Sequence, residues 1–215
     1  MRRGGGVFAR QGRRIGPAGR PRARRVYTVP MSTHTLYVIR HAEKPDQPAP
    51  VRGVDEQGHK DGDSLTVRGW QRAGALAVLF GDPAMREQRG LEPPAQLYAC
   101  AVGAGHASKR SEQTLAPLAQ RLGLSVRTGF TKGDEAALAE ALCMLEDTAL
   151  VCWSHTVLPG LLRAIAPHAD LPAAWPDERF DLVFRFTRKR GEAPRQWKVR
   201  QIGQLLLAGD SDTPI

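Results

Sequence analysis

Residues 36–46 read LYVIRHAEKPD. Leu36, Tyr37, Val38 and Ile39 form an apolar run of strand length, and Arg40, His41, Glu43 and Lys44 follow at once. A short apolar run with no alternation is a strand buried on both faces, as in a parallel sheet covered by helices. In open α/β sheets ligands bind beyond the carboxyl ends of the strands. The cluster of ionisable groups at this strand end therefore marks a candidate site and, with it, an α/β fold.

The rest of the chain alternates in the same sense. TVRGWQRAGALAVLF (66–80) sets Trp70, Ala73, Ala77 and Phe80 on one face, with Thr66 as N-cap. AQLYACA (95–101) is strand-like. SKRSEQTLAPLAQRLG (108–123) predicts a helix capped by Ser108, kinked at Pro117 and closed by Gly123. LSVRTGF (124–130) is a short strand, DEAALAEALCML (134–145) a helix, and TALVCWS (148–154) a buried strand. PGLLRAIA (159–166) is a helix with Pro159 at its first position. RFDLVFRFTR and RQWKVRQI close the chain as a hairpin around KRGEAP. The expected fold is a three-layer α/β/α sandwich, with a mostly parallel central sheet and a C-terminal hairpin. Residues 44–64, rich in Pro, Gly and Asp, read as a mobile excursion, a lid or rim near the first strand's end.

Composition bounds the function. The chain has 215 residues, 41% hydrophobic and 25% charged, enough for one good-sized domain. No apolar run approaches the roughly 18 residues of a membrane span. Cys100, Cys143 and Cys152 match no metal-ligand or CxxC spacing, which suggests buried thiols and a cytoplasmic protein. The net charge of +9 resembles a nucleic-acid signal, but residues 1–30 hold nine arginines and no acid. The remaining 185 residues carry equal numbers of basic and acidic side chains. The chain thus divides into a basic leader, 1–30, expected to be disordered, and a folded part, 31–215. The leader lacks the apolar core of a secretory signal and contains no serine, as a transit peptide would. Met31 offers a natural start for the folded part. No nucleic-acid or membrane partner is assigned.

Arg40 and His41 end one strand, His155 follows another, and Arg110 enters the helix after LYACA. Two guanidiniums match phosphate oxygens, and two imidazoles can act as nucleophile and donor. This set suits phosphoryl chemistry. The P-loop pattern is absent, HAE lacks the PCxxC of a zinc deaminase, and neither HExxH nor GxSxG occurs. No metal-ligand cluster is visible, so a metal-free mechanism without cofactor is favoured.

Together these segments resemble the histidine phosphatase superfamily, with its phosphoglycerate mutase-like fold. LYVIRHAEK resembles its first strand and Arg-His-Gly motif, with Ala42 in place of the usual Gly. LTVRGWQRAGAL resembles its first helix, RSEQT its second arginine, and LVCWSHTVLPGLL its second histidine. FDLVFRF and GQLLLAGD are similar to the tail of small bacterial members. The resemblance spans residues 35 to 210 or so. It implies that His41 is the nucleophile, forming a phosphohistidine, and that Arg40, Arg110 and His155 cradle the phosphoryl group. It also implies a carboxylic acid that protonates the leaving atom and then activates water. Glu135 is favoured for this over Asp134, which suits a helix N-cap, and over Glu43. The implied activity is hydrolysis of a phosphomonoester or a phosphoamidate, in a small metabolite or a phosphoprotein. The chain lacks large insertions between strands, which favours a phosphatase over a mutase. A phosphate-sensing pseudoenzyme is the alternative, separated by turnover of a generic aryl phosphate. Selectivity is expected from residues 44–64 and 101–107. Of the other histidines, His34 is expected to be exposed and His59 solvated in its loop. His106 is a candidate pocket residue and His168 lies apart.

Overall fold

Thr33–Arg40 form β1, buried in all but its first residue. The structure, a computed structural model, describes residues 33–45, 51–103 and 105–215. The expectations for residues 1–30, for 46–50 and for position 104 lie outside the described residues. After β1 come α1 (Val67–Gly81), α2 (Pro83–Arg89), β2 (Gln96–Ala99), α3 (Arg110–Leu122) and β3 (Val126–Arg127). Then follow α4 (Glu135–Met144), β4 (Ala149–Trp153), α5 (Leu158–Ile165), β5 (Leu182–Lys189) and β6 (Lys198–Gly203).

The strands make one sheet in the order β3-β2-β4-β1-β5-β6. β1, β4, β2 and β3 run parallel, and β5 and β6 add an antiparallel hairpin beside β1. Tyr37 and Ile39 face Leu76, Phe80, Leu115 and Leu118 of α1 and α3. Leu36 and Val38 face Leu138, Leu142, Leu158 and Leu162 of α4 and α5. Both faces of β1 are thus covered, which is why its apolar run does not alternate. The fold is the three-layer α/β/α sandwich expected.

Local details differ from expectation in instructive ways. Thr66 caps α1 as predicted, its hydroxyl accepting from the Gly69 amide at 3.1 Å. Ser108 does not cap α3. The helix opens one residue later behind Lys109, and the Ser108 hydroxyl accepts from the Arg110 guanidinium at 3.2 Å and, more weakly, from the Arg110 amide at 3.5 Å. Gly123 closes that helix in the left-handed conformation (φ 65°), as glycine does without steric cost. α5 begins at Leu158, so Pro159 is its second residue. α2 was not anticipated: it is short, buries no residue, and rests on an Asp82 cap and Gly90.

The described part of the 44–64 excursion is pinned. Val54 donates to Leu65 O, and the Trp70 indole donates to Val54 O at 2.9 Å. Gln113 of α3 reaches Glu56 and Ser64, and Lys109 pairs with Asp61 at 2.9 Å. Polar turn residues here bond back to two helices, so residues 51–64 are a fixed wall.

His34 is buried, contrary to expectation. Pairing with β5 extends β1 backward, so His34 lies opposite Arg188. Its ring meets Trp197 edge-on at 5.0 Å, and its Nδ1 accepts from Arg188 Nε at 3.2 Å. Burial, helped by the Arg188 charge, pulls its pKa down to about 4.

Candidate active site

Because β1 and β4 are parallel neighbours, with Arg40 opposite Trp153, both chains leave the sheet at one edge. The His41 amide donates to Trp153 O at 3.2 Å, which fixes the exit. The rings of His41 and His155 then meet nearly at right angles, with centroids 5.7 Å apart. His41 is 4% exposed. Its Nδ1 lies 2.8 Å from Ala42 O. A carbonyl only accepts, so Nδ1 carries the proton and Nε2 holds the lone pair in the neutral ring. Burial lowers the His41 pKa to about 3, opposed by the Ala42 carbonyl and helped by the charges of Arg40, His155 and Arg110. The neutral ring is therefore the form present at ordinary pH.

Ala42 sits where the resembling family has glycine. It is fully buried against Leu65 and Ala73, and its φ is not positive. Its amide donates to Thr114 Oγ1 at 2.9 Å, and that hydroxyl donates to Arg110 O at 2.7 Å. Thr114 thus ties the turn after His41 to α3. Gly69 of α1 is needed on the other side, since a Cβ there would lie 2.6 Å from Glu43 O.

The cations approach from separate segments. Arg40 is buried, its guanidinium 3.8 Å from the Phe180 ring centroid. Its Nη1 donates to the carbonyls of Pro176 (3.0 Å), Asp177 (2.6 Å) and Arg179 (3.2 Å). Arg110 is not a plain surface charge. It is half-buried and donates to Gly62 O, to Ser64 O at 3.2 Å and to Ser108 Oγ. Its charge is among those that depress the His41 pKa.

His155 Nε2 lies 2.9 Å from Asp177 Oδ1, and Lys44 Nζ lies 4.0 Å from the same oxygen. Burial and the charges of Arg40 and Lys44 lower the His155 pKa to about 4, opposed by Asp177. An open cavity of about 680 Å³ adjoins this pair and is lined by Glu135, His155, Thr156, Arg163, Trp175 and Asp177, among others. Glu135 enters it from the first turn of α4, with Oε1 accepting from the Trp153 indole at 2.9 Å and the Gly133 amide at 3.1 Å. Asp134 occupies the N-cap position, but its carboxylate turns back onto Thr131, accepting from the amide at 2.8 Å and the hydroxyl at 3.0 Å. Glu43 is committed elsewhere. Arg72 binds it through Nε and Nη2 at 2.9–3.1 Å, and Arg68 adds a contact at 3.3 Å. Arg72 also holds Asp210 at 2.7 Å, and Arg72 and Asp210 are almost wholly buried.

His41, Arg40 and His155 are thus brought together, Arg110 is close enough for its charge to act on His41, and Glu135 shares a cavity with His155. His59 is exposed on Asp55, His168 is exposed, and His106 is partly buried in the 101–107 loop beside the Arg110 charge. Sequence reasoning missed Asp177 and Phe180. Both lie in WPDERFD, an irregular segment whose only local signal is the Pro-Asp pair of a turn.

Two buried imidazoles, His34 and His41, and the half-buried His155 refuse protons that an unfolded chain accepts near pH 6.5. A depressed imidazole pKa costs stability once pH falls below the unfolded value. Stability should therefore fall as pH drops from about 6.5 toward 4, by up to about 1.4 kcal/mol per pH unit for each ring. Urea unfolding between pH 5 and 7 measures this, and a flat profile would contradict the burial of these rings.

No family model matches the chain, and no curated protein matches it. Among solved structures, the protein histidine phosphatase SixA complexed with tungstate aligns with a TM-score of 0.52 at 16% identity, covering 79% of this chain and 97% of the other. A mycobacterial glucosyl-3-phosphoglycerate phosphatase aligns at 0.49 and 12% identity, over 80% of this chain and 98% of the other. The likeness is one of fold: the chain folds as the protein histidine phosphatase SixA does. Among the described residues, no helix is long and apolar enough to cross a membrane.

Proposed function

We propose that the chain is a phosphatase that hydrolyses a phosphomonoester or a phosphoamidate through a phosphohistidine on His41. One observation carries the reading. The Nδ1–H of a buried, neutral His41 is held by its neighbour's carbonyl, with a second histidine and buried arginine charge around the ring. In the first step His41 Nε2 attacks phosphorus and the bond to the leaving oxygen or nitrogen breaks. Glu135 gives that atom its proton. Glu135 then takes a proton from water, which attacks the phosphohistidine and releases inorganic phosphate and the free imidazole. Arg40, Arg110 and His155 spread the charge of the equatorial oxygens, the dominant contribution in phosphoryl transfer.

Glu135 is chosen over Asp134 and Glu43 on position: it lines the cavity beside His155, whereas the others bond to Thr131 and Arg72. The substrate is a phosphorylated metabolite or a phosphoprotein, and the buried thiols suit a cytoplasmic setting. The test is rapid quenching with a ³²P-labelled substrate, followed by peptide mapping. An acid-labile, alkali-stable label on the His41 peptide is the expected result, and a label on serine or cysteine would overturn the mechanism.

Arg110→Lys keeps the charge but loses the fork that holds Ser64 O, Gly62 O and Ser108 together. The loss of a charge-assisted hydrogen bond is worth about 1.5–3 kcal/mol. Catalytic efficiency should fall roughly 10- to 150-fold. Steady-state kinetics on an aryl phosphate check this, and an unchanged kcat/KM would remove Arg110 from the cradle.

A further inference from the structure

Asp177 touches the site in a way that the hydrolytic scheme does not use. Its Oδ1 is 2.9 Å from His155 Nε2 and 4.0 Å from Lys44 Nζ, and its own carbonyl is 2.6 Å from Arg40 Nη1. One residue thus meets three basic groups of the site. Its side chain is 77% exposed, so the carboxylate is not part of the packed structure. The turn around it is anchored by other atoms, through the carbonyls on Arg40 and the Trp175 indole, which donates to Arg179 O at 2.7 Å.

The imidazole of His155 has two nitrogens. Nδ1 is shut off from solvent and, among the described residues, has no hydrogen-bond partner. Only Nε2 can reach an incoming anion, and Asp177 takes it. A single N–H cannot be given in full to two acceptors. We infer that Asp177 is an internal counter-anion, holding the phosphoryl-binding nitrogen of His155 in the empty enzyme and yielding it when a phosphoryl group enters. The inference rests on the reading of His155 as a phosphoryl ligand. The cavity of about 680 Å³ lined by both residues gives the displaced carboxylate room to swing aside. The same contact works in the opposite direction after hydrolysis. The carboxylate returns to His155, competes with inorganic phosphate and speeds its release.

Calorimetric titration of the full chain with inorganic phosphate at constant pH is the test. Asp177→Asn and Asp177→Ala should each bind phosphate up to about fivefold tighter than wild type, the scale of a lost exposed polar contact. Melting temperature should not change, because the side chain is exposed. The gain should vanish in a His155→Ala background, since the competition runs through that ring. Equal or weaker binding by both Asp177 variants would overturn the inference and make Asp177 a support for His155. A gain that persists without His155 would also overturn it, leaving only a general effect of removing negative charge. If His155→Ala alone binds phosphate as well as wild type, the parent reading of His155 fails, and that outcome is visible without any Asp177 variant.

Discussion

His41→Ala should abolish turnover, by roughly a thousandfold or more, while the chain stays folded. Among the described residues, no neighbouring group is placed to take over the role proposed for His41. The Ser154 hydroxyl is engaged with Thr156 at 3.3 Å. Burial raises the Cys152 thiol far above its ordinary range and holds Cys100 at about 11, so neither supplies thiolate at neutral pH. The substitution also removes a ring whose protonation burial opposes, so the fold loses packing but no ion pair. Far-UV circular dichroism and steady-state assays on one preparation separate the two effects. A folded variant with more than a few per cent of wild-type activity would mean that phosphorus is attacked by another group or by water.

Arg72→Leu should cost about 3–5 kcal/mol of stability, the largest effect expected away from the reacting atoms. Arg72 lies between Glu43 and Asp210, at 2.9 and 2.7 Å, and also reaches Gln204 at 3.1 Å. Its removal takes the buried guanidinium from Asp210 and, among the described residues, leaves the Glu43 carboxylate only the Arg68 contact. Burial raises the Asp210 pKa, but Arg72 and the Leu206 and Leu207 amides outweigh it and hold that pKa below the usual carboxylate range. A lowered carboxylate pKa stabilises the fold above the unfolded value, and that contribution is lost as pH falls through the lowered pKa. The deficit relative to wild type should therefore shrink toward pH 4, and urea unfolding at several pH values measures it. Glu43 is two residues from His41, so kcat should fall with the fold's loosening. A loss under about 1 kcal/mol would mean that the network contributes no more than a surface pair.

The parts legible in the sequence were those written in local pattern. The apolar run ending in Arg40-His41, the Thr66 cap and the buried strand before His155 each carry their signal within a few residues. So does the pairing of β1 with its neighbours, at the level of class: unbroken apolar strands between helices imply a covered, mostly parallel sheet. What stayed hidden depends on partners far along the chain. His34 looked exposed because Trp197 and Arg188, which cover it, belong to the closing hairpin. Glu43 looked like a spare acid because Arg72 and Asp210 cannot be paired with it from spacing. Asp177 carried only a turn signal, because its place is defined by where Arg40 points, and no periodicity records that. Ser108 failed as a cap for a different reason. The nearby Arg110 side chain competed for its hydroxyl.

The place of β1 in the sheet has a consequence for how the molecule is made. Its two partners are β4, ending at Trp153, and β5, beginning at Leu182. A ribosome that has delivered β1 must translate to Trp153 before the first partner exists, and through Lys189 before the second. Contacts of this separation slow folding, because long loops must close before any pairing rewards them. The nascent chain therefore carries β1 without its sheet partners for much of its synthesis.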